Sequence, residues 1–219
     1  MISPITIITP LAHEARALQA TARHHGWTLL VCGPGQQGIE RLAHLNNPPP
    51  AGHTVVLAGL AGGLAPDLAA GDLIIPQTVL GSDGEQFTPP LQLPTGGGLI
   101  STLEDICVSP ETKASLWTET GAHAVDIESA HFAKLALQNG WKWGIVRGIS
   151  DSSATELPKE CGLWIGSNGT LRPLPLITSL LRDPRRVGML LGLRRASVAA
   201  MASVRQGLIE LLDRHSSVI

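Results

Sequence analysis

Thr54-Val55-Val56-Leu57-Ala58-Gly59-Leu60-Ala61-Gly62-Gly63-Leu64-Ala65-Pro66 is the stretch on which the fold turns. After Thr54 its first residues carry no polar side chain, which predicts a strand over 54–58 covered on both faces. The small residues at 59–66 read as a turn where backbone can approach a ligand or another element without interference from Cβ atoms. On either side, residues 5–8, 28–32, 73–76 and 143–149 read as further short apolar strands. Helical spacing fills the intervals, from 13 to about 24, from the 33–38 turn to about 45, over 111–120, and over 129–139 with Gly140 as its stop. Residues 81–98, rich in Gly, Pro and polar side chains, predict an excursion over the surface. The alternation predicts an α/β fold: one domain over 1–219, three layers (α/β/α) around a mostly parallel, twisted mixed sheet, with 176–219 a C-terminal helical segment interrupted at Pro184.

Composition narrows the function classes. A chain of 219 residues with 43% hydrophobic content and a formal charge of -2 has the balance of a soluble globular protein. It lacks the strongly basic surface expected of a nucleic-acid binder. Charge is nonetheless uneven: seven of the twelve arginines fall within 172–205, where Asp183 is the sole acid. Cys32, Cys107 and Cys161 are odd in number and unpaired in spacing, which predicts reduced thiols and a cytoplasmic setting. The eight histidines form no HxxxH pair and no Cys/His cluster, so no metal is expected. The apolar run between Pro4 and Pro10 is too short for a signal peptide. No uninterrupted apolar run approaches the roughly 18 residues of a membrane span.

Two acidic motifs stand out: Val125-Asp126-Ile127-Glu128-Ser129 at a predicted helix start, and Val146-Arg147-Gly148-Ile149-Ser150-Asp151 at a predicted strand end. Ligands of parallel α/β sheets bind beyond the carboxyl ends of the strands. Glu14, Gly33, Gly59 and Asp151 all follow predicted strands at once or within a few residues. Each has an ordinary alternative. Glu128 complements a helix dipole, Asp151 caps a turn through Ser152 and Ser153, and Glu14 is a solvated first-turn acid. The Gly33 to Gly38 run matches GxGxxG and raises an NAD(P)-dependent oxidoreductase. That reading wants an acid at the end of the next strand, where the sequence has Leu57-Ala58-Gly59, and Pro34 removes one N–H from the loop. A non-catalytic nucleoside-binding module is the third reading.

Residues 54–76 (TVVLAGLAGGLAPDLAAGDLIIP), 124–130 (AVDIESA) and 145–151 (IVRGISD) together resemble the nucleoside phosphorylase/nucleosidase superfamily, which includes the methylthioadenosine/S-adenosylhomocysteine nucleosidases. The tail over 163–212, with Leu180-Leu181-Arg182-Asp183-Pro184, resembles the hopanoid-associated branch, implicated in removing adenine from adenosylhopane. The resemblance implies cleavage of an N-glycosidic bond without a cofactor, with phosphate as a co-substrate if the reaction is phosphorolytic. Glu128 would bind the ribose 2′- and 3′-hydroxyls, with Asp126 and Ile127 also binding substrate; Ile127 replaces the methionine common at that position. Asp151, with Ser150 beside it, would assist protonation of purine N7. For Asp151 to hold its own proton at pH 7, its pKa must rise by about 3, or roughly 4 kcal/mol; the alternative is an ionised Asp151 that accepts the adenine amino N–H and relays a proton from water. Glu14 would activate the attacking water, with backbone at Gly33, Gly35 and Gly62 lining the sugar or phosphate side. Phosphorolysis instead calls for arginines facing an oxyanion, for which Arg41 and Arg147 are the candidates; Glu14 favours water. The implied partners are a lipid-linked adenosyl nucleoside, a second copy of the chain, and, through Arg182, Arg185, Arg186, Arg194 and Arg195, the inner membrane surface.

Overall fold

The computed structural model describes residues 4–94, 97–174, 178–179 and 186–216. The apolar stretch that opens the motif region is a strand, β3 (Thr54–Gly63), twice as long as its apolar core predicts. Val55 and Leu57 pack into one hydrophobic cluster while Val56 and Ala58 pack into another, so both faces are covered. The small residues at 59–63 continue the strand instead of turning, because β9 (Lys142–Asp151) runs parallel beside them. Side chains from neighbouring elements occupy the space that Cβ atoms on this strand would fill. A Cβ on Gly59 would lie 2.7 Å from Glu14 Oε1 and 2.8 Å from Arg147 Nη1.

Around this pair the sheet runs β2 (Thr28–Val31), β1 (Ile5–Thr9), β3, β8 (Ala124–Asp126), β7 (Leu99–Thr102), β5 (Thr78–Leu80), β6 (Gln86–Phe87). β9 pairs with β3 and with β4 (Leu73–Ile74). β1, β2, β3 and β9 are mutually parallel where they pair, whereas β8 meets the end of β3 antiparallel at Gly62 and Gly63. The sheet is mixed and mostly parallel, as the sequence predicts. Helices α2 (Gly35–Ala43) and α4 (Ser129–Gln138) cover one face through Ile39, Leu42, Phe132 and Ala136. Helices α1 (Ala12–His25) and α5 (Arg186–Ser216) cover the other through Leu18, Met201, Val204 and Leu208. A fifth helix, α3 (Pro110–Thr120), starts at Ser109, whose Oγ accepts the N–H of Thr112, and ends at Gly121 in the left-handed region.

Two further sequence expectations change, and a helix adds a feature that no uninterrupted run announced. The 81–98 segment is not wholly a surface excursion: it contains β6, and Phe87, Leu91 and Leu93 are buried. Its spacing hides this, because Leu91 is anchored through backbone, its N–H donating to the carbonyl of Trp143 at 3.1 Å. The strand predicted over 73–76 shortens to two residues. Finally, Val187–His215 is long and apolar enough to cross a membrane by length and composition, although charged residues interrupt it. Its second half is packed against the sheet, while Val187, Leu191 and Val198 in its first half are exposed. Pro184, Arg182 and Arg185 lie outside the described residues, as does the side chain of Arg186.

Candidate active site

A cavity of about 1060 Å³ opens at the carboxyl ends of β1, β3 and β9, where the start of α1, the β8–α4 junction and the first half of α5 converge. Glu14, Gly62, Asp126, Ile127, Glu128, Ser150 and Asp151 all line it. Gly33 and Gly35 do not. Gly33 lies beneath Ser167 and Arg41, and a Cβ on Gly38 would be 1.9 Å from the Gly33 carbonyl oxygen, so the GxGxxG run packs on itself. The Gly35 N–H, which would face a pyrophosphate at the start of α2, donates instead to Glu128 Oε1 at 2.9 Å. A dinucleotide therefore has no free cradle at this loop.

The three acids are not the ordinary surface or capping residues that each allowed when taken alone. Glu14 is 1% exposed. Its Oε2 accepts the N–H of Leu11 and its Oε1 the N–H of Leu60, both at 2.8 Å, which ties the start of α1 to β3. Burial pushes its carboxyl up to about 7, against the pull of the Arg147 guanidinium and the two backbone donors. Glu128 occupies the N-cap position of α4 but makes no side-chain cap bond. Its carboxylate turns away to Gly35 and to Arg147, whose Nη2 donates to Oε2 at 3.1 Å. Burial raises Glu128 as well, opposed by Arg147 and reinforced by the neighbouring charge of Asp126.

Asp126 is the acid that caps. Its Oδ1 accepts the backbone N–H groups of Glu128 and Ser129, and the Thr102 hydroxyl at 3.1 Å; its Oδ2 meets Arg147 Nη2 at 2.6 Å. Both its oxygens are thus occupied in aiming α4 and Arg147. Arg147 is fully buried, and its charge holds Asp126 and Glu128 together from behind the cavity. Three carboxyls around one guanidinium leave the cluster short of positive charge. Desolvation by burial, to which that deficit adds, is the physical reason two of the acids resist ionisation.

At the other end of the site, β9 carries a bulge. Ala61 pairs with Ile149 but Gly62 pairs with Asp151, so Ser150 is the extra residue, and both Ser150 and Asp151 reach the cavity. Ser150 Oγ lies 2.5 Å from Asp151 Oδ1. Asp151 Oδ2 receives a 2.5 Å bond from Nζ of Lys113, a fully buried lysine on α3. The turn after Asp151 closes without its carboxylate, through Ser152 and Thr155. Lys113 carried no sequence signal, since its partner lies 38 residues away on another element.

The arginines expected of a phosphate site are otherwise engaged. Arg41 Nη1 donates to the carbonyls of Cys32 and Ser167; Arg147 is held by two acids through Nη2, and its Nε and Nη1, buried without a partner, lie off the cavity lining. Arg16, Arg194 and Arg205 do line the cavity, together with His13, whose pKa burial lowers. Away from the acids the walls are apolar: Ile106, Leu157, Leu171, Val187, Leu190 and Leu191 among them. Trp164 also lines this part, and its buried indole N–H has no protein partner, a donor available to whatever binds. Among the described residues no group of His, Cys, Asp and Glu is arranged to hold a metal ion.

The family model of the phosphorylase superfamily matches residues 88–163. Solved structures extend the likeness to nearly the whole chain. A methylthioadenosine nucleosidase mutant of Helicobacter pylori, with 5′-methylthioadenosine in its active site, is 14% identical over 98% of this chain and 100% of its own, with a TM-score of 0.66. A 5′-methylthioadenosine/S-adenosylhomocysteine nucleosidase from Colwellia psychrerythraea, in complex with adenine, is 18% identical over 97% and 96%, with a TM-score of 0.68. Futalosine hydrolase of Helicobacter pylori is 14% identical over 98% and 99%, with a TM-score of 0.65. No curated protein matches the sequence. The family model matched over 88–163 is that of the superfamily the sequence motifs resemble, and the solved structures show the nucleosidase fold.

Proposed function

We propose, from the phosphorylase-superfamily match over 88–163 and the nucleosidase fold, that this protein hydrolyses the N-ribosidic bond of an adenine nucleoside. The observation that carries the reading is the placement of Glu14, Glu128 and Asp151 around one cavity. Glu128 accepts the ribose 2′- and 3′-hydroxyls, and its charge offsets the positive charge that develops on the ring as the bond lengthens. Asp151 accepts the exocyclic amino N–H and passes to N7 a proton taken from water, so adenine departs neutral. Glu14 takes a proton from the water that attacks C1′ and releases it to solvent. A carboxyl held at about 7 is well matched to that task near neutral pH. Water is favoured over phosphate because an incoming dianion would meet acids whose one close guanidinium is bound to two of them through Nη2 and does not line the cavity.

The substrate we favour carries a large apolar 5′ group, as adenosylhopane does, the product then being ribosylhopane. The cavity is slightly larger than the roughly 300–1,000 Å³ usual for small-molecule sites. Its apolar half leads out past Leu171, Val187, Leu191 and Val198, all of them exposed at the rim. Arg172, Arg194, Arg195 and Arg205 are exposed around the same segment, an arrangement suited to a peripheral stay on an anionic bilayer from which such a substrate is drawn. Adenine release from 5′-alkylthioadenosines of increasing chain length tests both points. The expected result is a kcat/KM that climbs with each methylene by up to about fourfold, the worth of ~0.8 kcal/mol, and rises further with anionic vesicles present. A kcat/KM that is flat or falls beyond the methylthio compound rejects the apolar substrate.

A further inference from the structure

Lys113 has no part in the scheme above, yet no side chain in the site is more fully committed. All three of its ammonium protons are used, on Asp151 Oδ2 (2.5 Å), the Ser152 carbonyl (2.9 Å) and the Thr155 carbonyl (2.9 Å). It reaches Asp151 from α3, on the side away from the cavity, and lysine is absent from the cavity lining. Two thiols lie close enough to feel the charge of Asp151: Cys107, just before α3, and Cys161, on the short 3-10 helix. Burial pushes both thiols up, so both are neutral near pH 7. Against Asp151, β3 and β8 present Gly62 and Val125, which carry no charge. The Lys113 ammonium is thus the cation that faces this carboxylate.

We propose that Lys113 is a positioning residue that fixes the Asp151 carboxylate as an acceptor aimed at the base, and that it thereby makes the site select 6-aminopurines over 6-oxopurines. The inference rests on the nucleosidase reading and deepens it. An ionised carboxylate is an acceptor only. It pairs with the amino N–H of adenine but sets two acceptors against each other when the purine carries an oxygen at C6. A buried site built around such a bond rejects the mismatched ligand by orders of magnitude. Without the ammonium nothing on the α3 side fixes the carboxyl group, and a group free to turn, or to present an O–H, no longer sets acceptor against acceptor at C6, so the distinction fades.

The test is the ratio of kcat/KM for adenosine to that for inosine. The native enzyme is expected to favour adenosine by about 10²-fold or more. In Lys113→Met the ratio falls at least ~10-fold. Lys113→Arg, which keeps the charge, holds the native ratio. Adding Asp151→Asn to Lys113→Met changes the ratio no further than Asp151→Asn alone, because the lysine acts through the aspartate. A merely structural lysine would lower both activities together, so an unchanged ratio in a folded Lys113→Met protein overturns the proposal. Should that variant fail to fold, Lys113→Gln, which retains an N–H donor for the Ser152 and Thr155 carbonyls, is judged by the same ratio. If the native enzyme cleaves no adenine nucleoside at all, the nucleosidase reading fails first; native cleavage with an unmoved ratio sinks the role of Lys113 alone.

Discussion

Asp151→Asn is expected to abolish most adenine release, lowering kcat about 10³-fold while leaving the Kd for substrate within a few-fold of the native value. The amide retains the size of the carboxylate and can still present an acceptor to the adenine amine, so binding survives. What it loses is the ability to take up a proton from water and hand it to N7, which leaves the base to depart as an anion. The bulge at Ser150 places this side chain opposite Gly62 on the cavity wall, and no other acid among the described residues lies at that end of the site. Stopped-flow or steady-state assay of adenine, paired with calorimetric binding, separates the two quantities. Equal turnover by the variant would remove Asp151 from the chemistry, and a parallel loss of binding would make it an anchor instead.

Glu14→Gln gives the second large effect, a fall in kcat of about 10²-fold, because the water that attacks C1′ loses its base. The same substitution carries a pH signature. As a base Glu14 must be ionised, so with its carboxyl raised to about 7 the native rate climbs as pH increases through 7 and levels above it. In Glu14→Gln the limb that Glu14 sets is gone. Stability moves in a direction that follows from the same shift. Because the fold raises the carboxyl from 4.5 to about 7, it favours the neutral form. The cost of holding Glu14 charged is therefore absent below about 4.5 and fully present above about 7. Between those limits the stability difference should move in favour of Glu14→Gln by about 3 kcal/mol, whatever constant offset the altered hydrogen bonds to Leu11 and Leu60 add. Urea melts of both proteins at pH 4.5 and pH 8 check this. A difference that stays level with pH would mean that Glu14 is an ordinary ionised carboxylate.

Residues 54–63 mark where the sequence was legible and where it was not. Alternating burial on both faces is written in Val55 to Ala58, so the strand and the layered fold could be read directly. The run from Gly59 onward reads as a turn because strand preference measures side-chain packing, and glycine has none to offer. What extends β3 is packing supplied from elsewhere: Glu14 and Arg147 fill the room that Gly59 leaves. The acids were legible as motifs at strand ends and at a helix start. Their division of labour was not, since spacing cannot say which way a carboxylate turns. Asp126 and Glu128 are two residues apart, yet Asp126 caps α4 whereas Glu128 bonds across to Gly35 on α2. Lys113 sits on a helix with one buried residue and reads as part of a solvated face until α3 is placed against the end of β9.

The central claim is that this acid cluster directs water to C1′ of an adenine nucleoside, and one measurement bears on it most directly. Purified protein is incubated with an adenine nucleoside in phosphate-free buffer and again with phosphate added, and adenine and the sugar product are separated by chromatography. The account predicts the same rate of adenine release in both, with the free sugar as product. Adenine release that depends on phosphate and yields the sugar 1-phosphate would contradict it, and would move the anion-binding role to Arg16, Arg194 and Arg205, which also line the cavity.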